Sequence, residues 1–296
     1  MSAVRISLMA LAVLAGCDGN PFVEGLPPVD PGTDEGLVPD VVQQDMNAAS
    51  YDPGAATIQI NMSSQDASDL NATYTRNAAL DVGGYKAYTY QESTSNRYVV
   101  AMVREVGSVK GAIAVEGGQF ATYHGGGDFV RADVFSLPDS GVAGSFNYSG
   151  TYVGLMNIGT PVPGPGGDLD PTQAYRTSGR ALITADFTEM TVSGGVDRRK
   201  IDDPMVDADG NVDPTLDPTL PTLSLFETGI AADGTFEGAV YVEGSDVGDY
   251  GGLFAGLNAS EVATLLVFNP YGSGKVVEHG LIVLGNCDDV GGPACP

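Results

Sequence analysis

Asp207, Asp209, Asn211 and Asp213 place four oxygen ligands at alternate positions around Gly210. A calcium loop uses this kind of arrangement, with its glycine at position six and a bidentate glutamate at position twelve. Counted from Asp207, Gly210 falls at position four and Pro218 at position twelve. The four residues are therefore candidate calcium ligands, set against the reading of a solvated loop rich in Asp, Pro and Thr. No other cofactor is expected.

The remaining motifs with chemical potential are incomplete. His124-Gly125-Gly126-Gly127 is like the oxyanion loop of some lipases, but the G-x-S-x-G elbow those enzymes need is absent from the chain, and a hairpin turn is expected there instead. Gly272-Ser273-Gly274-Lys275 lacks the spacing and the following hydroxyl of a phosphate loop. The only two histidines, His124 and His279, stand at no zinc-ligand spacing from a cysteine. No acid, base and nucleophile set converges, so the expectation is a protein that is not an enzyme.

Three cysteines are present. Cys17 ends the run Leu14-Ala15-Gly16-Cys17, which looks like a bacterial lipobox, with small residues before the cut and a thiol that takes the lipid. Upstream lie one positive charge, Arg5, and an apolar stretch from Ile6 to Leu14 that is too short to span a bilayer. Residues 1–16 thus read as a secretion signal and Cys17 as the lipidation site. In an exported protein, Cys287 and Cys295 are expected to pair, closing a short loop worth roughly 2.5 kcal/mol on the chain-entropy estimate.

Residues 17–53 hold no basic residue and no sustained periodicity, and are rich in Pro, Gly, Asp and Glu. A segment of this kind cannot bury enough apolar surface to order itself, so it is expected to be a disordered tether reaching roughly 35 Å. Asp18 after the lipidated Cys resembles an inner-membrane retention signal of some bacteria, which leaves the inner membrane and the periplasmic leaflet as alternatives to the cell surface. The whole chain carries 13 Lys and Arg against 38 Asp and Glu, a formal net charge of −25. Such a field repels phosphate backbones and excludes nucleic acid as a partner.

With 41 glycines in 296 residues and no tryptophan, the composition favours short strands and many turns. Residues 54–138 show alternating runs at 55–62, 85–91, 97–104, 109–116 and 129–135, which predict an antiparallel sheet. From 139 to the C-terminus eight strands are predicted, at about 144–158, 177–187, 189–196, 221–231, 234–243, 249–256, 262–269 and 276–285. Tight turns such as Ala232-Asp233-Gly234 join two-faced strands such as 234–243, with Phe236, Gly238, Val240 and Val242 on one face. That pattern suits an up-and-down antiparallel barrel whose closure leaves no exposed edge. An eight-stranded barrel has an interior filled by side chains or by one small ligand. Tyr148, Tyr152, Met156 and His279 lie on predicted strands and are candidates for lining it.

The stretch from Gly238 to Phe268 reads as strand, corner and strand. Its centre, Gly252-Leu253-Phe254-Ala255-Gly256-Leu257-Asn258-Ala259-Ser260-Glu261-Val262, resembles the G-x-F-x-G-x-x-A-x-E signature near the end of the barrel in the transferrin-binding protein B family, which also covers factor H-binding-like surface lipoproteins. Gly179 to Phe187 and Gly229 to Phe236 resemble two further strand motifs of that family. Leu257 stands where the family commonly has Pro and Thr264 where Gly often follows, and one barrel is seen where transferrin-binding protein B has two lobes. The resemblance implies an all-β fold, a handle-like sheet before an eight-stranded barrel. It also implies a lipid-anchored protein of the outer membrane surface that binds a host or environmental protein or an iron carrier through loops such as 159–176 and 197–220. The alternative is a periplasm-facing carrier of a small apolar ligand such as haem, or a structural envelope protein.

Overall fold

The structure, a computed structural model, describes residues 37–63, 70–92, 98–117, 124–133, 135–138, 144–158, 174–204, 215, 217–271 and 276–287. The first half forms a seven-stranded antiparallel meander: β1 (Met46–Asp52), β2 (Thr57–Met62), β3 (Leu70–Arg76), β4 (Lys86–Tyr90), β5 (Val99–Val106), β6 (Val109–Glu116) and β7 (Gly125–Arg131). The second half is a closed eight-stranded barrel: β8 (Ser145–Ile158), β9 (Tyr175–Asp186), β10 (Thr191–Ile201), β11 (Leu223–Gly229), β12 (Thr235–Val242), β13 (Ser245–Ala255), β14 (Glu261–Phe268) and β15 (Val276–Gly285). Each barrel strand pairs with its sequence neighbour, and β15 closes on β8 from Val276↔Ile158 to Ile282↔Tyr152. This is the all-β, up-and-down architecture expected from the alternation.

The meander curls until its ends nearly meet. The Asp45 N–H donates to the Gly125 carbonyl at 3.1 Å, and the Asp128 carboxylate accepts from the Ala49 N–H at 2.9 Å. Its concave face closes over a core of Met46, Ile58, Ile60, Tyr74, Tyr88 and Val103. The opposite face, carrying Val100, Met102, Ile113 and Phe129, packs on the outside of the barrel against Val153, Leu155, Leu265, Leu281 and Val283. Most of β5 and β6 is thus buried on both faces, so their apolar residues are not confined to one side. A third core fills the barrel, built on Tyr148, Tyr152, Phe236, Tyr250, Phe254, Leu266 and Ile282.

Four sequence expectations are corrected. The ordered chain begins before residue 54: a single helical turn, α1 (Asp40–Gln43), and β1 lie in the stretch read as tether. The reason is local, since Val42 and Met46 are fully buried anchors while the rest of β1 is partly or wholly exposed and shows no period. β3 was not among the expected strands, although its Ala72 and Tyr74 alternate into the core. The His124 motif is not a hairpin turn, because Gly125, Gly126 and Gly127 open β7. β10 continues through residues 197–201, which were assigned to a loop.

Candidate functional site

β10 runs past its expected end because of a bulge. Its register against β9 steps from Asp197↔Arg180 to Lys200↔Ser178, so Arg198 and Arg199 together face Gly179. Arg198 takes a left-handed conformation (φ 50°), and the extra residue turns Arg199 inward. A Cβ on Gly179 would lie 2.9 Å from Arg199 Cγ, so only glycine leaves room for the inward stem. Inside a barrel lined mostly by apolar side chains, Arg199 is almost fully enclosed.

Its charge is met by Glu278 of β15, also completely buried. Arg199 Nη2 donates to Glu278 Oε2, Arg199 Nη1 donates to the Pro221 carbonyl at 2.8 Å, and the guanidinium lies 5.1 Å from the Phe268 ring centre. The other carboxylate oxygen accepts from Tyr152 Oη at 2.7 Å and from Thr177 Oγ1. Burial pushes the Tyr152 hydroxyl well above its ordinary range, reinforced by the Glu278 charge. Burial opposes the Arg199 charge, but Glu278 outweighs it and holds the guanidinium above its usual value. A Cβ on Gly154 would come within 2.3 Å of the carboxylate. This cluster ties β8, β9, β10 and β15 together as a buried ion pair in which both carboxylate oxygens are engaged and Arg199 Nε alone has no hydrogen-bond partner among the described residues.

Of the four residues expected to line the interior, three do so. Tyr148 and Tyr152 belong to the barrel core, and Met156 packs with Ile201, Leu220 and Val276 at one end. His279 does not. With Glu278 turned inward, its neighbour on β15 points outward, onto the backbone of Gly125 in β7. The His124-Gly-Gly-Gly run is explained by this contact and its neighbours, because a Cβ on Gly125 would lie 2.7 Å from the His279 ring and one on Gly127 would lie 2.4 Å from Leu265. The glycines let the barrel's side chains rest directly on the backbone of the sheet.

Burial between the two sheets lowers the His279 pKa to about 4, against a weaker opposing effect of its hydrogen bond to the Gly125 backbone. Unfolding restores an ordinary histidine near 6.5, so between these values the unfolded chain holds more protons than the native one. Stability from this residue is fully present above pH 6.5, falls as the pH drops to about 4, and is then lost by about 3 kcal/mol in all. His279→Gln should flatten that part of the stability profile in urea unfolding, and an unchanged slope would contradict the buried neutral ring.

The signature around Gly252–Val262 is a junction. Gly256 (φ 74°) and Asn258 (φ 57°) turn the chain between β13 and β14. The Glu261 carboxylate then reaches the β5–β6 turn, where Ser108 Oγ donates to it at 2.9 Å. Ala259 N–H donates to the Ser136 carbonyl at 3.1 Å, Tyr148 Oη donates to the Ala259 carbonyl, and Asn286 N–H donates to the Ser260 carbonyl at 2.7 Å. The corner, the linker between sheet and barrel, the first barrel strand and the end of the last one meet here. Its residues specify how the halves join.

Cys287 follows directly on β15 and Asn286, which bridges back to Tyr148, so it stands just past the seam. Cys17, Cys295, the candidate calcium ligands Asp207, Asp209, Asn211 and Asp213, and Gly272–Lys275 lie outside the described residues. Among the described residues no three His, Cys, Asp or Glu side chains are placed to hold a metal ion.

The fold and its junction define a class: a closed eight-stranded barrel docked on a curled antiparallel sheet. Similar solved structures include a double-mutant transferrin-binding protein B from Haemophilus parasuis (14% identity, TM-score 0.42, covering 82% of this chain and 45% of that one). A surface lipoprotein is also similar (13% identity, TM-score 0.38, 82% and 97%). So is the transferrin-binding protein B of serogroup B Neisseria meningitidis (14%, TM-score 0.34, 80% and 51%). The chain spans about half the length of these two transferrin-binding proteins. At these identities and TM-scores the likeness says nothing of family or ligand. No protein-family model matches the sequence, and no curated protein matches it.

Proposed function

We propose that the chain is a lipid-anchored envelope protein, held by Cys17 and displayed at the outer membrane surface, that binds another protein or an iron carrier without catalysing a reaction. The observation that carries this reading is the filled barrel. Aromatic rings and the Arg199–Glu278 pair occupy the interior that a haem-like ligand would need, so recognition falls to the exterior and to the loops at the barrel ends. The lipobox and the acidic stretch after it support display at a distance from a membrane. Among the described residues no helix is long and apolar enough to cross one.

Protease treatment of intact cells tests the placement. The protein should be cut on whole cells and released to the soluble fraction by Cys17→Ser, whereas protection until the outer membrane is broken would refute surface display. We also carry forward the Cys287–Cys295 bridge as a proposal. Native protein should resist alkylation at both thiols until reduced, and labelling without reductant would refute the bridge.

A further inference from the structure

A groove of about 630 Å³ opens outside the barrel, between β8, β9, β10 and the sheet's turn at residues 81–83. It is set by strand parity. On β9 the outward residues at this end are Arg176, Ser178 and Arg180, the same strand whose Thr177 reaches Glu278 inside. On β10 the bulge that sends Arg199 inward leaves both Arg198 and Lys200 on the outer wall. Four of the 13 Lys and Arg residues of a chain with net charge −25 thus line one concavity.

The carboxylates near these cations are already matched. Arg176 pairs with Asp203, Arg180 with Asp197, Lys200 with Asp202, and Asp81 with Arg76 beyond the groove. Arg198 is exposed and makes no hydrogen bond or close ion pair with any described residue; its charge is felt only by Asp197, whose carboxylate is already held by Arg180, so it is the cation left over. Asp202 supplies a second unmet requirement: Lys200 holds its Oδ1 at 2.7 Å, while its Oδ2 is buried and accepts no hydrogen bond from any described residue. Val82 is the one large apolar side chain of the lining. The volume suits a ligand of small-molecule size, and the lining suits a hydrophilic one.

We propose that this groove binds a small hydrophilic acid that carries a hydroxyl group beside its carboxylates. A carboxylate pairs with Arg198, and a ligand hydroxyl donates to Asp202 Oδ2. The inference stands apart from the proposed function, since it needs neither export nor a protein partner.

Calorimetric titration of the full-length chain in detergent, at fixed ionic strength, tests it with two probes: citrate, which has a hydroxyl, and tricarballylate, the same tricarboxylate without one. Citrate should bind saturably, and tricarballylate about tenfold more weakly, as expected when a buried acceptor is left unpaired. Arg198→Gln should weaken citrate by about tenfold through loss of a charge-assisted contact. Arg198 touches nothing the fold needs. Asp202→Asn should abolish the preference between the two probes. Lys110→Gln, which removes a cation on the far sheet, should change nothing. Absence of saturable citrate binding, or equal weakening by Arg198→Gln and Lys110→Gln, would overturn the site. Equal affinity of the wild-type chain for both probes would overturn the hydroxyl assignment.

Discussion

Glu278→Leu is expected to destabilise the protein by about 3–5 kcal/mol, and Arg199→Met in the same chain to recover most of that loss. The single change leaves a guanidinium with no exposed surface and no counter-charge, together with the Tyr152 and Thr177 hydroxyls that had donated to the carboxylate. The double change removes both charges and fills their space with apolar atoms. A residue of about 1–3 kcal/mol should remain from the two unpaired hydroxyls. Urea unfolding of the two single variants and the double variant measures this as a coupling energy. Losses that simply add would show that the two side chains do not depend on each other, contrary to their contact.

Tyr85→Phe should cost about 2–4 kcal/mol, a large effect for the loss of one oxygen atom. Tyr85 precedes β4 in the sheet, yet its hydroxyl enters the barrel wall. It donates to the Thr151 carbonyl of β8 at 2.9 Å and accepts from the Val283 N–H of β15 at 3.0 Å. The ladder between those two strands breaks after Ile282↔Tyr152 and is met again only at the Tyr148↔Asn286 bridge, and the hydroxyl takes the place of the first missing rung. Phenylalanine keeps the ring, and with it the cation contact from Arg104 at 5.0 Å, but strands both backbone groups in a dry layer. Faster amide exchange at Val283 than elsewhere in β15 is the specific signature, and exchange unchanged there would refute the wedge.

The barrel was legible in the sequence because most of its strands alternate between a packed face and a wet one and end at turn residues. All eight fall within a few residues of their expected positions, apart from the extension of β10 and the earlier start of β13. The outward direction of His279 was not legible. Both faces of β15 are buried, one in the barrel and the other under the sheet, so its sequence Val-Val-Glu-His-Gly-Leu-Ile-Val-Leu-Gly carries no alternation from which parity could be read. Arg199 was hidden for a related reason: Asp197-Arg198-Arg199-Lys200 looks like a solvated loop, and only the bulge, which propensity does not reveal, puts one of three adjacent cations inside. Of the residues singled out for chemistry, the cysteine at position 287 is placed just past the seam, and the interior tyrosines and the glycine run are accounted for by packing. The groove cations were missed because their meaning depends on two strands and a distant turn brought together by closure.

The Tyr85 rung spans 198 residues of sequence, from before the fourth strand of the sheet to the last strand of the barrel. The final strand therefore meets a wall whose completing hydrogen bonds are held by a segment made long before it. A boundary drawn near residue 138 separates two topologies but not two foldable pieces: a barrel cut free there would carry an unmatched amide and carbonyl at its closing seam, along with bare Leu281 and Val283. The expected thermal behaviour is a single cooperative transition, and two resolved transitions would show the halves to be autonomous.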